Sequence, residues 1–398
     1  MSLTLPVLNT PRLLKGAYGW WYLGTSKPVR LGPAAVDERG NLRPEVARQI
    51  DSAGVNNRPS GVGYALTVLT ATTCNLGCGY CFQNVGPDVT GGHRPPRIGA
   101  ALLTRSTAAR ILRFASDRMA ESGLDQLHLH LFGGEPLLNP KGCRDLLELA
   151  ADHGLTTARM TSNGTLLTRD LARELAELGL GRVQITFDGD RTTHDATRVT
   201  RTGGSTFDVI LANMAAATEA TGLRWDLRVN VSERNRDRVT DLLEQIARRV
   251  DPARCHIDFA LLYDAGVGYS GALRPGADLA EEAFGWTVAA VELGFGIYRP
   301  KANEACQSCT VRDGRLGAVV NADGTLYSCW SSAGKPGWEV GRADTGYLPA
   351  DQVDGRWVSC DYVDRRADAA ATTEFRDALD ARVLDFLHAR GRLTAPPS

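Results

Sequence analysis

Between residues 64 and 263 the chain alternates short β-like segments with longer helix-like ones. The predicted strands lie at 65–73, 126–132, 156–163, 182–188, 224–231 and 256–263. Amphipathic helices are predicted between them, near 104–121, 140–152, 168–179, 206–220 and 234–249. Strands that alternate with helices form right-handed βαβ units and a parallel sheet. Six strands therefore favour an α/β fold built on a partial (β/α)6 barrel of the TIM type over a complete barrel of about eight strands.

The predicted strands carry polar residues where a filled barrel carries branched apolar ones. In the second strand, His128 and His130 share one face and leucines occupy the other. Three later strands alternate in the same way, with polar faces formed by Gln184, Thr186 and Asp188, by Asp226, Arg228 and Asn230, and by His256 and Asp258. We expect the apolar faces to pack on the helices, which leaves a polar lumen suited to a polar ligand. The candidate substrate contacts are His128, His130, Asp226, Arg228 and Asp258; for any single residue, exposure at an open sheet edge is the alternative.

The chain has nine cysteines, and their two common uses in a protein are disulfides and metal ligation. The amino terminus lacks a signal-peptide pattern, and the charge-free stretch 59–87 is too rich in Gly, Thr, Asn and Cys to span a membrane. We therefore expect a cytoplasmic protein, in which thiols stay reduced and metal ligation is the leading explanation. A formal net charge of −1 argues against a nucleic-acid partner.

Three cysteines, Cys74, Cys78 and Cys81, follow the first predicted strand in a glycine-containing loop. Loops at the carboxyl ends of barrel strands carry the chemistry of such folds. Thiolates are ligands for zinc and for iron-sulfur clusters. On a 4Fe-4S cluster, three protein thiolates leave one iron free to bind a small molecule.

The C-x3-C-x-Y-C spacing of this loop resembles the cluster motif of the radical S-adenosylmethionine (SAM) superfamily. Further segments match that family's motifs in order: Gly133-Gly134-Glu135-Pro136, the segment 161–165 (TSNGT), the segment 184–189 (QITFDG), and His194-Asp195-x-x-Arg198 with the later 204–207 (GSTF). The resemblance covers residues 65 to about 232.

The resemblance implies a 4Fe-4S cluster that chelates SAM and passes it one electron. Methionine leaves, and a 5′-deoxyadenosyl radical removes hydrogen from the substrate. The electron would come from a reductant such as a flavodoxin or ferredoxin. The implied SAM contacts are Tyr80 beside the adenine, Gly133, Gly134 and Glu135 at the methionine moiety, and Thr186, Asp188 and Arg198. A buried strand position is the alternative for Thr186, and a surface ion pair is the alternative for Arg198.

A second group of cysteines lies in the last third of the chain: Cys306, Cys309, Cys329 and Cys360. Two strands, 316–320 and 325–329, are predicted to form a hairpin through an Asn-Ala-Asp-Gly turn. The spacing from Cys309 through Gly324 to Cys329 resembles the SPASM and twitch extensions, which bind auxiliary 4Fe-4S clusters. It implies one auxiliary cluster in a small α+β domain, and a structural zinc site is the alternative that these ligands also permit.

The two remaining cysteines, Cys143 and Cys255, are expected to be small buried hydrophobic residues. Cys255 begins the sixth predicted strand, near the expected lumen. It therefore has a speculative second role, the donation of a hydrogen atom to a substrate radical, as in radical epimerases.

These observations predict a division into an amino-terminal extension (1–60), a radical SAM partial barrel (61–265), a twitch-like or SPASM-like domain (266–366) and a helical tail (367–398). The leading functional hypothesis is the maturation of a ribosomally made peptide by crosslinking, epimerisation or oxidation. The first 60 residues are shorter than the usual leader-binding domain of such enzymes. The alternative is a small-molecule dehydrogenase or epimerase acting on a sugar or an aminocyclitol, and the ordered motifs disfavour a purely structural zinc or electron-transfer protein.

Overall fold

The structure, a computed structural model, describes residues 9–57, 62–81, 98–262, 271–304, 314–357 and 369–393. The strands are β1 (Asn9–Thr10), β2 (Arg12–Gly16), β3 (Gly19–Leu23), β4 (Pro28–Leu31), β5 (Tyr64–Ala71), β6 (Leu127–Gly133), β7 (Leu155–Ser162), β8 (Leu180–Phe187), β9 (Arg224–Val231), β10 (Cys255–Leu261), β11 (Gly296–Ile297), β12 (Asn303–Glu304), β13 (Gly317–Val320), β14 (Thr325–Tyr327), β15 (Glu339–Arg342) and β16 (Gly346–Tyr347). The α-helices are α1 (Pro44–Ser52), α2 (Arg105–Ser122), α3 (Pro140–Ala151), α4 (Arg169–Glu177), α5 (Arg191–Thr197), α6 (Phe207–Ala220), α7 (Val239–Ala247), α8 (Ala277–Glu292), α9 (Ala350–Val353) and α10 (Ala369–Ala389).

The main sheet has the strand order β11-β10-β9-β8-β7-β6-β5-β13-β14-β15-β16. The six predicted strands are β5 to β10, and they lie side by side in chain order and parallel. The short β11 and the later β13 extend this parallel run at its two ends. The prediction of an α/β fold with a partial barrel is therefore confirmed. Helices α5 and α8 were not predicted.

The two faces of the central strands differ as their alternation predicts. Leu129, Leu131 and Trp225 are almost fully buried on the side that packs against the helices. On the opposite face of β6, His128 and His130 are only half-buried. Because side chains alternate across a strand, one face supplies the apolar core and the other lines a polar lumen.

The amino-terminal segment forms a small antiparallel sheet of β2, β3 and β4 against α10. Trp21 Nε1 donates a hydrogen bond to Asp385 at 2.8 Å. Arg12 pairs with Asp377 at 2.5 Å and with Asp380 at 2.6 Å. These strands are too short for their periodicity to stand out in the sequence.

The predicted carboxyl-terminal hairpin is present as β13 and β14. Gly324 closes its turn with φ of +88°, a conformation that favours glycine. Because β13 pairs in parallel with β5, this region continues the barrel sheet. Within the described residues, we find no helix with the length and apolar character needed to cross a membrane.

Candidate functional site

The loop that carries Cys74, Cys78 and Cys81 leaves the carboxyl end of β5 and is fixed by the segment that follows α5. Gly77 N donates to Val199 O at 2.9 Å, and Arg201 Nε donates to Cys74 O at 2.7 Å. A β-bridge joins residues 76 and 200 next to these contacts. The position of the thiols therefore depends on the chain around residue 200.

The three thiols lie close enough to influence one another electrostatically. Burial raises the pKa of Cys74 to about 11 and that of Cys78 to about 12, and the neighbouring Cys81 contributes in both cases. Among the residues that the structure describes, no three His, Cys, Asp or Glu side chains are arranged to hold a metal ion. Ligation by these thiols thus requires them to turn towards one another and to release protons.

Two glycines let the chain after β6 cross the end of β5. A Cβ atom on Gly133, whose φ is +146°, would lie 2.1 Å from Ala71 O. A Cβ atom on Gly134 would lie 2.5 Å from Thr73 O. Both contacts are with backbone atoms, so neither position can accept a side chain without moving the loop that carries the cysteines.

The buried Glu135 connects the ends of β6 and β7. Its carboxylate accepts hydrogen bonds from Leu137 N at 3.0 Å, Ser162 Oγ at 2.8 Å and Asn163 N at 2.7 Å. Burial raises the pKa of Glu135, and these three donors oppose the rise. The carboxylate thus fixes the local backbone.

Two asparagines connect this point to the thiol loop. Asn163 Nδ2 donates to Asn75 Oδ1 at 2.8 Å and approaches Cys74 Sγ at 3.8 Å. Asn75 Nδ2 donates in turn to Thr165 Oγ1 at 2.9 Å. The TSNGT segment is therefore in direct contact with the first cysteine.

A third set of buried groups meets at the hydroxyl of Tyr80. This hydroxyl donates to Asp188 Oδ2 at 2.7 Å and accepts from Arg198 Nη1 at 2.7 Å and from Asn230 Nδ2 at 3.1 Å. Arg198 Nη1 lies 3.6 Å from Asp188 Oδ2. Burial raises the pKa of Asp188, and Arg198 opposes the rise.

Two polar atoms of this set have no hydrogen-bond partner among the described residues, Asp188 Oδ1 and Arg198 Nε. Unsatisfied buried polar atoms are costly, so their presence together points to a polar ligand. Three thiols, one unpartnered acceptor and one unpartnered donor form a donor set that fits a 4Fe-4S cluster with bound SAM.

His194 positions the backbone of Asp188 and Arg198 through hydrogen bonds, directly to Asp188 and through Thr206 to Arg198. The Asp188 backbone N–H donates to His194 Nδ1 at 3.3 Å, so the ring proton is on Nε2, which faces Thr206 Oγ1 at 3.1 Å. Thr206 Oγ1 then donates to Arg198 O at 2.5 Å. Burial, assisted by Arg198, lowers the pKa of His194 well below its ordinary value and keeps the ring neutral.

The segment 68–246, from β5 into α7, matches the family described as the radical SAM superfamily. This part of the chain belongs to that superfamily.

Two curated relatives resemble parts of the radical SAM domain. One is GTP 3',8-cyclase of Synechococcus sp. (strain CC9605), 36% identical over 141 residues, which are 33% of this chain and 35% of the relative. The other is PqqA peptide cyclase of Bradyrhizobium diazoefficiens, 38% identical over 132 residues, which are 32% of this chain and 30% of the relative. The matches span only about a third of each relative's length.

Two solved structures share the fold over most of the chain. Native anSMEcpe with bound AdoMet aligns with a TM-score of 0.61 and 16% identity, and the alignment covers 82% of this chain and 99% of that one. Streptococcus suis SuiB bound to S-adenosylmethionine aligns with a TM-score of 0.51 and 14% identity, covering 92% and 90%. Both likenesses extend beyond the radical SAM domain.

The predicted substrate residues occupy different depths of the lumen. Arg228 lies midway along β9, where Nη1 is 3.4 Å from Asp258 Oδ2. His130 Nε2 lies 2.9 Å from Thr161 Oγ1, and burial, with Arg159, lowers the His130 pKa to about 3. Thr186, a predicted SAM contact, is buried near the carboxyl end of β8.

Two other predicted substrate residues lie at the amino ends of their strands, away from the thiol loop. Asp226 is ion-paired with Arg182 at 2.6 Å. His128 Nδ1 lies 2.8 Å from Thr157 Oγ1, and its ring is so close to Gly63 that a Cβ atom there would lie 2.4 Å from it. The structure therefore does not bring Asp226 and His128 to the cysteines.

The prediction that Cys255 lies near the lumen is wrong. Its side chain is fully buried and shares the apolar, helix-facing side of β10 with Ile257, opposite Trp225 in register. Burial, with a contribution from Asp251, raises the Cys255 pKa to about 12. It lies at the amino end of its strand, so a role as hydrogen donor is withdrawn. Cys143 is fully buried, as expected.

Of the second cysteine group, only Cys329 belongs to the described residues; Cys306, Cys309 and Cys360 lie outside them. Cys329 Sγ accepts a hydrogen bond from Ser331 Oγ at 3.2 Å. Burial lowers the pKa of Lys335, and the nearby Cys329 and Cys81 oppose this change. Lys335 therefore lies near both Cys329 and Cys81, one thiol from each group.

Sequence reasoning placed Asn230 on the lumen face without giving it a role, and it overlooked Trp330. Asn230 follows Arg228 on the same face, two positions nearer the carboxyl end, which is the signal that could have identified it. Trp330 is 43% exposed and contacts Phe132, with 6.1 Å between ring centroids. An exposed tryptophan beside Cys329 has no pattern in the sequence that identifies it.

Proposed function

We propose that this protein is a radical SAM enzyme that abstracts hydrogen from a peptide substrate. The observation that carries the proposal is the set of three mutually interacting thiols beside the unpartnered atoms of Asp188 and Arg198. The thiol loop and Asp188 follow the carboxyl ends of the parallel strands β5 and β8, where barrels place their chemistry, and Arg198, which follows α5, reaches Asp188 there.

In this proposal, Cys74, Cys78 and Cys81 hold a 4Fe-4S cluster. When bound, the cluster and SAM supply one-electron chemistry, in which SAM is cleaved reductively and a 5′-deoxyadenosyl radical removes hydrogen from the substrate. The chain's own residues position these groups. Asp188 accepts and Arg198 donates hydrogen bonds at the SAM pocket, with Tyr80 between them.

We propose for Glu135 a role other than the expected direct contact with methionine. Its oxygens accept three hydrogen bonds from the chain itself. We assign it the role of holding the backbone of Gly133 and Gly134 in place, and we assign contact with the SAM methionine moiety to that backbone.

Two findings support a peptide as substrate. The fold likeness to anSMEcpe and to SuiB covers 82% and 92% of this chain, and structures of both are described with a bound peptide. A curated relative of part of the radical SAM domain is named PqqA peptide cyclase. A small-molecule substrate is the second candidate, favoured by the similarity to GTP 3',8-cyclase and by the charged lumen.

We further propose that Cys329, together with Cys306, Cys309 and Cys360, binds an auxiliary 4Fe-4S cluster. The β13–β14 hairpin and the SPASM-like spacing support this assignment. Anaerobic reconstitution should then give about eight iron atoms per chain. About four iron atoms with one zinc would contradict the auxiliary cluster and leave the first cluster in place.

The proposed chemistry is tested by reduction with dithionite in the presence of SAM. The reconstituted protein should release 5′-deoxyadenosine, and Cys78→Ser should abolish the release. Cys143→Ser is the matched control, because this cysteine is buried in the same domain and its Sγ donates a hydrogen bond within the protein, to Pro136 O at 3.4 Å. Equal activity of the two variants would refute the assignment of Cys78.

The peptide is tested with a candidate precursor encoded beside the gene and synthesised with deuterated residues. Transfer of deuterium into 5′-deoxyadenosine identifies the peptide as the hydrogen source. If only deuterated small molecules, such as sugars, transfer the label, the peptide proposal fails and the second candidate replaces it.

A further inference from the structure

The lumen contains an ion pair whose position differs from that of an ordinary surface pair. Arg228 and Asp258 are direct partners in the register of β9 and β10, two strands inside the sheet. Their neighbours Leu227, Val229 and Ile257 are buried on the helix side. Yet the side chains of the pair are 41% and 48% exposed. Since both strands are internal, this exposure is to the lumen.

The pair is connected to the proposed SAM pocket through one residue. Arg228 Nε donates to Asn230 Oδ1 at 3.0 Å, and Asn230 Nδ2 donates to the Tyr80 hydroxyl at 3.1 Å. Two residues along a strand correspond to about 7 Å. A group bound at the pair therefore lies within a short distance of the Tyr80 hydroxyl.

The chemistry of the pair determines which groups it can bind. Arg228 uses two of its five N–H donors within the described part of the chain, on Asn230 and Asp258. Asp258 retains acceptor capacity, because among the described residues only one of its oxygens is engaged, at 3.4 Å. The pair is neutral as a whole, so an anionic ligand would compete with Asp258 for the guanidinium. A neutral group with an adjacent acceptor and donor satisfies both partners.

We propose that Arg228 and Asp258 form a subsite that binds the backbone of one extended substrate residue, with Arg228 donating to its carbonyl and Asp258 accepting from its N–H, two groups that lie on the same side of an extended chain. This inference rests on the proposed function and specifies its substrate as a peptide held through its main chain. It places the adjoining residue of the peptide on the side of Asn230 and Tyr80. Asp226 is excluded from the subsite because Arg182 occupies it at 2.6 Å.

The test uses anaerobically reconstituted protein with SAM and the probe N-acetyl-alanine N′-methylamide, followed by saturation-transfer NMR. The matched probe is the ester analogue, the N-methylamide of O-acetyl-lactic acid, in which an oxygen replaces the N–H of the alanine residue. Arg228→Gln and Asp258→Asn should each weaken amide binding about tenfold, the effect of losing a hydrogen bond to a charged group. The ester should bind more weakly than the amide to the wild type and equally to Asp258→Asn.

Arg182→Gln is the control variant, since it removes the same residue type from an ion pair on the same face of the sheet. It should bind the amide as the wild type does. The proposal is overturned if the wild type does not bind the amide, if it binds the ester equally well, or if Arg182→Gln loses as much affinity as Arg228→Gln. Should Arg228→Gln fail to fold, Asp258→Asn with the two probes decides the question.

Release of 5′-deoxyadenosine without substrate is measured on the same samples. If it occurs and amide binding does not respond to the variants, only the subsite fails. If no preparation releases 5′-deoxyadenosine, the proposed function fails whatever the probes do.

Discussion

The charged side chains at the two ends of the polar lumen are similar in type but differ in whether their polar atoms have hydrogen-bond partners. At the amino end, Asp226 is paired with Arg182 and accepts a hydrogen bond from Tyr298. At the carboxyl end, Asp188 and Arg198 are more deeply buried, and each keeps an atom without a partner among the described residues. An ion pair whose charged atoms are all partnered within the protein has a structural role in the barrel. Buried charged groups with unpartnered polar atoms instead indicate a site for a ligand.

This comparison has one exception, because His256 Nδ1 at the amino end is also buried without a partner in the described part of the chain. The His256 ring is tilted against Tyr298, with centroids 5.7 Å apart, and lies against Gly296. Arg182, Asp226 and Arg224 are close enough to influence the pKa of His256. Arg182 and Asp226 remain paired with each other.

The largest effect is expected from removing the arginine at each end. Arg198→Met leaves Asp188 buried beside Tyr80 without its cation, which should cost about 3–5 kcal/mol of unfolding free energy and abolish SAM binding. Arg182→Met should cost much less, because the Arg182 side chain is 31% exposed in its ion pair, whereas that of Arg198 is 10% exposed. Urea unfolding and calorimetric titration with SAM measure both effects. Equal losses of unfolding free energy and of SAM binding in the two variants would contradict the proposed difference between the two ends of the lumen.

A second test concerns the carboxylate that holds the glycine turn. Glu135→Gln keeps the shape but replaces an acceptor oxygen with an NH2 group that faces donors, and we expect a loss of about 2 kcal/mol with weaker SAM binding. Glu148→Gln is the control, since Glu148 pairs with Arg105 at the surface and is 44% exposed. If Glu135→Gln changes stability but leaves SAM affinity intact, Glu135 does not position the SAM pocket.

How much of this site the sequence predicts depends on the kind of information each residue carries. Period-two alternation identified the lumen face of β8, β9 and β10, because side-chain direction is a local property of a strand. It did not separate Asp226 from Arg228, since they share a face and differ in depth and in partner. Cys255 was misplaced for a different reason: it was assigned to the lumen from its position at the start of a strand, whereas the alternation puts it on the apolar face with Ile257.

The residues of the radical SAM motifs show the same limit of prediction from the sequence. Spacing brought Glu135 and Asp188 to the carboxyl ends of their strands, which the structure reproduces. It could not reveal that the Glu135 oxygens already accept three hydrogen bonds from the chain, or that one Asp188 oxygen accepts none among the described residues. Those properties depend on contacts with β7 and with the loop after α5, which are distant in sequence.

The third prediction compares the histidines of the two ends by pH. Burial lowers the folded-state pKa of His194 well below 6.5 and lowers that of the less buried His256 by less. A lowered pKa means that the unfolded chain binds the extra proton, so unfolding free energy should fall as pH drops below about 6.5. The loss approaches about 1.4 kcal/mol per pH unit for each such group.

His194→Gln should flatten this pH dependence more than His256→Gln, because the His194 ring remains neutral to lower pH. Urea unfolding between neutral and mildly acidic pH measures the slopes, with iron content checked at each pH. If His256→Gln reduces the pH dependence of the unfolding free energy more than His194→Gln does, the more strongly constrained imidazole lies at the amino end and not at the carboxyl end.

The smallest effect is expected where the amino end is already satisfied. Tyr298→Phe removes the hydroxyl that bonds to Asp226, while Arg182 still pairs with that carboxylate at 2.6 Å. Because Tyr298 is 52% exposed, water can replace the lost hydrogen bond, and we expect less than about 1 kcal/mol of destabilisation. Release of 5′-deoxyadenosine and binding of the amide probe should be unchanged. If Tyr298→Phe instead impairs probe binding as strongly as Asp258→Asn does, then substrate contacts extend the full depth of the lumen, and the division between a self-satisfied end and a ligand-binding end is wrong.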